Sequence, residues 1–206
     1  MEVKIPTVDT LADAAKEFLD KVITPPLEEL GLFLSDNVKY WRFKRQVAIL
    51  NKAEEYLKSR NIKTRKVSLK VLTPLIEHSS LEEDESLQEK WAALLVHTVC
   101  EGSELDTTLY SHILSQLTKS DAEVFEFIFG FCTTTHQGQG ISVIVKEYKT
   151  IPISVIRGFH KDCDLIIDNL VRLRLIKELQ TYSMDAEVVT ISNLGFRFRN
   201  ACRISQ

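Results

Sequence analysis

The chain has 206 residues, enough for one large or two small domains, and a near-neutral balance of 26 Lys and Arg against 29 Asp and Glu. Its 44% hydrophobic and 27% charged content, with only 7 Gly and 5 Pro, is that of a chain that buries a core, which excludes a disordered or loop-rich polypeptide. No stretch approaches the roughly 18–20 apolar residues of a membrane-spanning helix. The N-terminus also lacks the basic-then-apolar order of a secretory signal, so a cytoplasmic protein is expected.

Leu11 to Ile23 places Leu11, Ala15, Phe18, Leu19 and Val22 at helical spacing. Thr24 followed by Pro25 then reads as an N-cap and first helical position, where the missing N–H costs nothing. From Pro26 to about Arg60, apolar residues step by three and four (Leu27, Leu30, Leu34, Val38, Trp41) and then shift to Phe43, Val47, Leu50 and Leu57. This predicts one long helix, or two with a break near Ser35 to Asn37. A helix of that length needs a packing partner, within the chain or in another copy.

Asn61 to Lys66 is a basic connector. Ser68 is expected to cap a short helix through Ile76 that contains Pro74. Ser80 and Glu83 have capping-box spacing and predict that the next helix opens there, with an apolar face of Leu87, Trp91, Leu94 and Leu95, and ends at Gly102. A further helix is expected over about Thr107 to Gln116.

A second section starts at Thr118, where Thr118 and Asp121 form another N-terminal signature and a helix covers Ser120 to Phe131. Thr133 to Gly140 reads as a loop and Ile141 to Tyr148 as a weak strand. Ile153 to Phe159 and Asp162 to Leu173 read as two short helices. Ile176 to Tyr182 and Glu187 to Ser192 form a hairpin, and a last helix runs from about Asn193 to Arg203. The expected fold class is therefore mainly α. A helical bundle with a long helix over 1–117 is followed over 118–206 by a small α+β module in the element order of a winged helix.

Pro25-Pro26-Leu27-Glu28-Glu29-Leu30-Gly31, Tyr40-Trp41-Arg42-Phe43 and Leu81-Glu82-Glu83-Asp84-Glu85, with Leu87, Trp91, Ala92, Leu94 and Leu95, resemble the bacterial abortive-infection alpha family. The resemblance covers most of the chain and is strongest from about residue 25 to 120. It implies a bacterial protein linked to phage defence, and it implies no substrate, cofactor or catalytic residue.

Among surface candidates, the stretch from Lys39 to Lys66 carries ten Lys or Arg against Glu54 and Glu55. Lys39, Arg42, Lys44, Arg45, Arg60, Lys63, Arg65 and Lys66 are the candidate contacts to nucleic acid or a protein partner. Basic groups neutralise phosphates, and the interleaved Tyr40, Trp41 and Phe43 can stack on unpaired bases. Three other readings stand beside this one: a solvated helix face with Trp41 and Phe43 in the core, pairing with the acidic segment at Glu82 to Glu89, and an anionic membrane surface. The acids Glu82, Glu83, Asp84, Glu85 and Glu89 occupy consecutive helical positions and fan around the axis, so helix capping is favoured over a metal site.

The second helix of the winged-helix-like module carries Asp162, Asp164 and Asp168 against Arg172 and Arg174, which suits a protein better than a DNA groove. Residues 119–206 hold 11 basic and 10 acidic residues and give no electrostatic footprint for DNA.

None of the five histidines forms a metal-ligand pair by spacing. The cluster of His160, Asp162, Cys163 and Asp164 lacks a second half that would make it a thiol or metal centre. Gln137 to Gly140 has no following Lys-Ser/Thr and is not a phosphate loop. The four cysteines are widely spaced and expected as reduced thiols in or near the core. The expectation is thus a non-enzymatic protein without cofactor or metal, whose N-terminal helices self-associate or bind a protein and whose C-terminal module serves as sensor or adaptor. Nucleic-acid binding through 39–66 is the alternative, and an unrecognised hydrolase the third reading.

Overall fold

The computed structural model describes residues 37–101, 108–132, 134–138, 141–145, 149–180 and 187–204. The predicted helix over Leu11 to Ile23, the Thr24–Pro25 start, the stripe from Leu27 to Leu34 and the break at Ser35 lie outside these residues, as does Gly102. The described residues are mainly helical, with a small three-stranded antiparallel sheet toward the C-terminus. The chain divides into two compact units, 1–116 together with 201–206, and 117–200.

In the first unit, α1 (Asn37–Ser59) packs chiefly against α3 (Glu85–Val99) and also against α2 (Leu69–Ser79). Val47, Ile49, Leu50, Ala53 and Leu57 of α1 are buried, so the helical stripe read from the sequence is covered inside its own unit. α3 is the central helix. Leu87, Trp91, Leu94 and Leu95 are buried as expected, and so are Ala92, Ala93, Val96 and Val99 on its other faces. α4 (Leu109–Leu114) rests on α2 and α3. His97 Nε2 lies 3.0 Å from the Arg203 carbonyl oxygen and ties the end of the chain to this unit.

Three sequence expectations fail here. Ser80 does not open α3; it closes α2. Its N–H donates back to the Ile76 and Glu77 carbonyls and its hydroxyl to the Glu77 carbonyl. α3 starts four residues later, where Asp84 accepts from the N–H groups of Ser86 and Leu87 at 2.9 and 3.2 Å. α3 also stops at Val99, short of Gly102, because Cys100 turns extended and forms an antiparallel bridge with Thr64. Pro74 lies inside α2, which runs on to Ser79, beyond the expected Ile76.

In the second unit, α5 (Lys119–Cys132) opens as the sequence predicts. Thr118 N–H donates to Asp121 Oδ2 at 2.8 Å, and Asp121 N–H donates to Thr118 Oγ1 at 3.2 Å. The stretch expected as a loop over 133–140 instead contains a strand. β1 (Thr134–Gly138) pairs antiparallel with β2 (Ile141–Val145), with Thr134 opposite Val145 and Gly138 opposite Ile141. Its threonines have high β propensity and gain a partner that local reading does not supply.

A short β3 (Ile151–Pro152) leads into α6 (Ile153–Phe159), followed by α7 (Cys163–Arg172), β4 (Ile176–Gln180), β5 (Glu187–Ile191) and α8 (Asn193–Ala201). β5 is central in the order β3-β5-β4, all antiparallel, and Val188 to Ile191 are buried. Pro152 sits at the end of an edge strand, where it withholds no ladder bond that a central strand would need. α8 approaches the chain before β4 closely. A Cβ on Gly195 would lie 2.0 Å from the Leu175 carbonyl oxygen, so only glycine fits.

Candidate functional site

The basic stretch is one segment in sequence, but the structure divides it. The side chain of Lys39 lies outside the described residues. On the first turns of α1, Arg42 Nε donates to Ser80 Oγ at 2.9 Å, and Arg45 forms an ion pair with Glu83. The pairing of basic and acidic segments considered from sequence therefore occurs at Arg45 and Glu83. Lys44 is exposed, and Arg42 and Arg45 are partly buried. Farther along α1, Lys58 pairs with the buried Glu54 at 2.9 Å.

Three of the acids of 82–89 are likewise occupied with structure, while Glu85 and Glu89 are exposed. Glu82 Oε1 accepts from the N–H groups of Glu83 and Asp84 at 2.9 and 3.0 Å, Asp84 caps α3, and Glu83 meets Arg45. Among the described residues no three His, Cys, Asp or Glu side chains gather as a metal site would require.

Beyond α1 the connector presents three of its four cations to solvent. Asn61, in the left-handed region at φ 50°, ends the helix, and Ile62 N–H donates to the Leu57 carbonyl at 2.9 Å. Arg65 N–H then donates to the Val99 carbonyl at 2.7 Å and Glu101 N–H to the Lys63 carbonyl at 2.8 Å, around the Thr64–Cys100 bridge. Arg60, Lys63 and Lys66 are exposed and Arg65 half-buried.

In the second unit, α5 is apolar on two faces. Phe125, Ile128, Phe129 and Cys132 point into the core, where Phe125 meets Phe198 and Arg199 stacks over Phe129 at 4.3 Å while pairing with Glu126. Phe127 and Phe131 occupy the other face. Phe127 lies face to face with Phe159 of α6 at 4.2 Å and 7°, and also contacts Phe131 at 5.2 Å. Phe131 is 52% exposed, Phe159 47% and Val155 41%. This surface was missed in sequence, although Phe127 and Phe131, four residues apart and off the stripe of Val124, Phe125 and Ile128, carried its signal.

On α7, Ile166, Ile167 and Leu170 face inward, while Asp164, Leu165, Asp168 and Arg172 face outward. Asp164 pairs with Arg157 of α6 at 3.1 Å. The side chain of Cys163 is buried, and burial pushes its thiol up. His160 Nδ1 accepts the Asp162 N–H at 3.2 Å. The Cys163 thiol donates to Asp164 Oδ1 at 3.5 Å, and that carboxylate adds to burial in holding the thiol protonated, so the contact does not activate it as a nucleophile. None of the four cysteines is disulfide-bonded, and Cys132 and Cys202 are also buried.

No helix among the described residues is long and apolar enough to cross a membrane. The family described as abortive infection alpha matches residues 42–202, spanning most of both units, and the chain belongs to that family. The match starts after the Pro25 to Gly31 segment that contributed to the resemblance and extends through the α+β module. No curated protein and no solved structure matches the chain.

Proposed function

From its membership of the abortive infection alpha family, we propose that the protein serves phage defence without catalysis, by associating with a second copy of itself through the phenylalanine surface of its second unit. The observation that carries this is the stacked Phe127–Phe159 pair, with Phe131, Phe159 and Val155 each about half in water. Soluble proteins seldom leave such a contiguous aromatic surface uncovered unless something docks on it. Each buried aromatic removes on the order of 150–250 Å² from water.

A second copy is the favoured occupant because the edge of the surface is self-complementary. Arg157 and Asp164 are both exposed and adjacent, so a two-fold mate can set each against the opposite charge of the other. The stripe of α1, which from sequence called for a partner, is covered from Val47 onward by its own unit and does not argue for association through the first helices.

With the β1–β2 hairpin inserted between α5 and β3 and outside the β3-β5-β4 sheet, the remaining order α5, β3, α6, α7, β4, β5 supports a winged-helix reading of the module. The carboxylates on the outer face of α7 favour its use for protein contact over groove insertion. Burial keeps the Cys163 thiol protonated and the neighbouring Asp164 carboxylate, to which it donates at 3.5 Å, adds to that, which favours a non-catalytic role.

Sedimentation of the full chain tests the reading. A dimer is expected, and replacing Phe131 and Phe159 together by Ser should leave a folded monomer. A wild-type chain that stays monomeric at high concentration, or a dimer unmoved by the double replacement, overturns it.

A further inference from the structure

We propose that Lys63, Lys66 and Lys70, on the connector between α1 and α2 and the first turn of α2, form a phosphate-binding ridge that holds the backbone of double-stranded nucleic acid without reading its bases. All three are exposed, and no carboxylate of the described residues accepts from them. They differ in this from Arg42, Arg45 and Lys58, whose charges meet Ser80, Glu83 and Glu54 within the fold.

Three features make the ridge more than a solvated charge run. The backbone beneath it is fixed, by the Thr64–Cys100 bridge with its two flanking hydrogen bonds and by Val67, which is buried. Lysines on a fixed backbone lose less freedom when they meet a phosphate than lysines on a free strand. Second, Lys70 stands in the first turn of α2, which holds no acid, and Ser68 makes no side-chain cap bond there. A cation at the positive end of a helix is an unfavourable placement for stability, and a bound anion would relieve it. Third, Arg60 and Arg65 flank the lysines in sequence, and among the described residues the bridge brings Glu101 alongside.

The chemistry selects the ligand. Residues 60–70 contain no aromatic side chain on which an unpaired base could stack, so a duplex backbone fits better than a single strand. Their apolar members, Ile62, Val67 and Leu69, are buried or half-buried, so nothing there inserts into a bilayer. The second unit, despite its element order, offers the carboxylates of α7 instead. The basic contact thus belongs to the helical unit.

Fluorescence anisotropy of a labelled duplex with the full chain, over a range of salt, is the test. Three neutralised phosphates give a slope of log K against log salt of about −2.7, and duplexes of unrelated sequence should bind alike. Replacing Lys63, Lys66 and Lys70 by Gln should remove most of that slope, and replacing them by Glu should abolish binding. Arg42→Gln with Arg45→Gln should leave both affinity and slope nearly unchanged. Circular dichroism checks that the variants fold, and the exposed Gln set guards against a charge-reversal artefact. No duplex binding at low salt, an unchanged slope in the Gln variant, or binding to phosphatidylserine vesicles but not to duplex would each overturn the proposal.

Discussion

Residues 80–87 and 118–125 carry nearly the same local signal, a hydroxyl residue followed three positions later by an acid ahead of an apolar helix, and the protein uses it in one place only. Thr118 and Asp121 exchange their hydrogen bonds, whereas Ser80 and Glu83 do not meet in that way. The difference lies in what surrounds them. Ser80 ends α2, so its N–H and hydroxyl already bond back to that helix, and Arg42 occupies its oxygen from across the unit. Arg45 draws Glu83 outward, and Asp84, one residue on, supplies the cap. A capping box is thus a competition among acceptors, decided by tertiary contacts as much as by spacing.

The largest test of that comparison is at Asp121. This carboxylate is buried and accepts not only from Thr118 N–H and Oγ1, both 2.8 Å away, but also from Asn169 Nδ2 of α7 at 3.1 Å. Asp121→Ala breaks the box and the α5–α7 link together, and hydrogen bonds to a charged acceptor are the costly ones to lose. The expected destabilisation is about 2–3 kcal/mol, read from the urea unfolding midpoint. A loss within a few tenths would show that the local box and the long-range bond contribute nothing beyond solvation.

The first region yields a smaller, split effect. Asp84→Ala should cost about 1 kcal/mol through the lost cap, whereas Glu83→Ala, which removes an exposed ion pair, should cost no more than a few tenths. The sequence spacing alone would assign the larger loss to Glu83. Equal losses at the two positions would restore that reading and contradict the observed start of α3.

What the sequence conveys follows the same division. The stripe of Val47, Leu50 and Leu57, the face of Leu87, Trp91 and Leu94, the Thr118 box and the β4–β5 hairpin were legible because each is written in neighbours a few residues apart. The strand at Thr134 to Gly138, the end of α3 at Val99 and the true start of α3 were not, since each depends on a distant or competing partner: β2, Thr64 and Asp84. The candidate sites behave alike. Composition marked 39–66 as basic, but only the contacts of Arg42 and Arg45 separate its internally used half from the ridge at Lys63 and Lys66. Lys70 joins that ridge through the turn into α2, which charge counting along 39–66 stopped short of. The phenylalanine surface was hidden inside an apolar run whose two faces are told apart only once the core has chosen one.

The smallest effect concerns acid. Two residues before Ser80, His78 sits edge-on to His112 of α4, with ring centroids 5.1 Å apart. Partial burial lowers its pKa, the neighbouring His112 lowers it further, and Glu77 opposes both. The folded protein therefore holds less of a proton on His78 than the unfolded chain, whose value is about 6.5, and stability rises with pH in this window. The contribution is whole above the unfolded value and is lost as pH falls from about 6.5 through the lowered folded value. The region around Thr118 carries no histidine between Leu114 and Gly130, so acid should loosen the α2–α4 contact first. Unfolding midpoints measured between about pH 7.5 and 5 should show His78→Gln flattening the pH dependence. His112→Gln should flatten it only in part, because burial, the larger cause, persists. If His112→Gln removed the whole dependence, charge repulsion and not burial would be the dominant cause at His78.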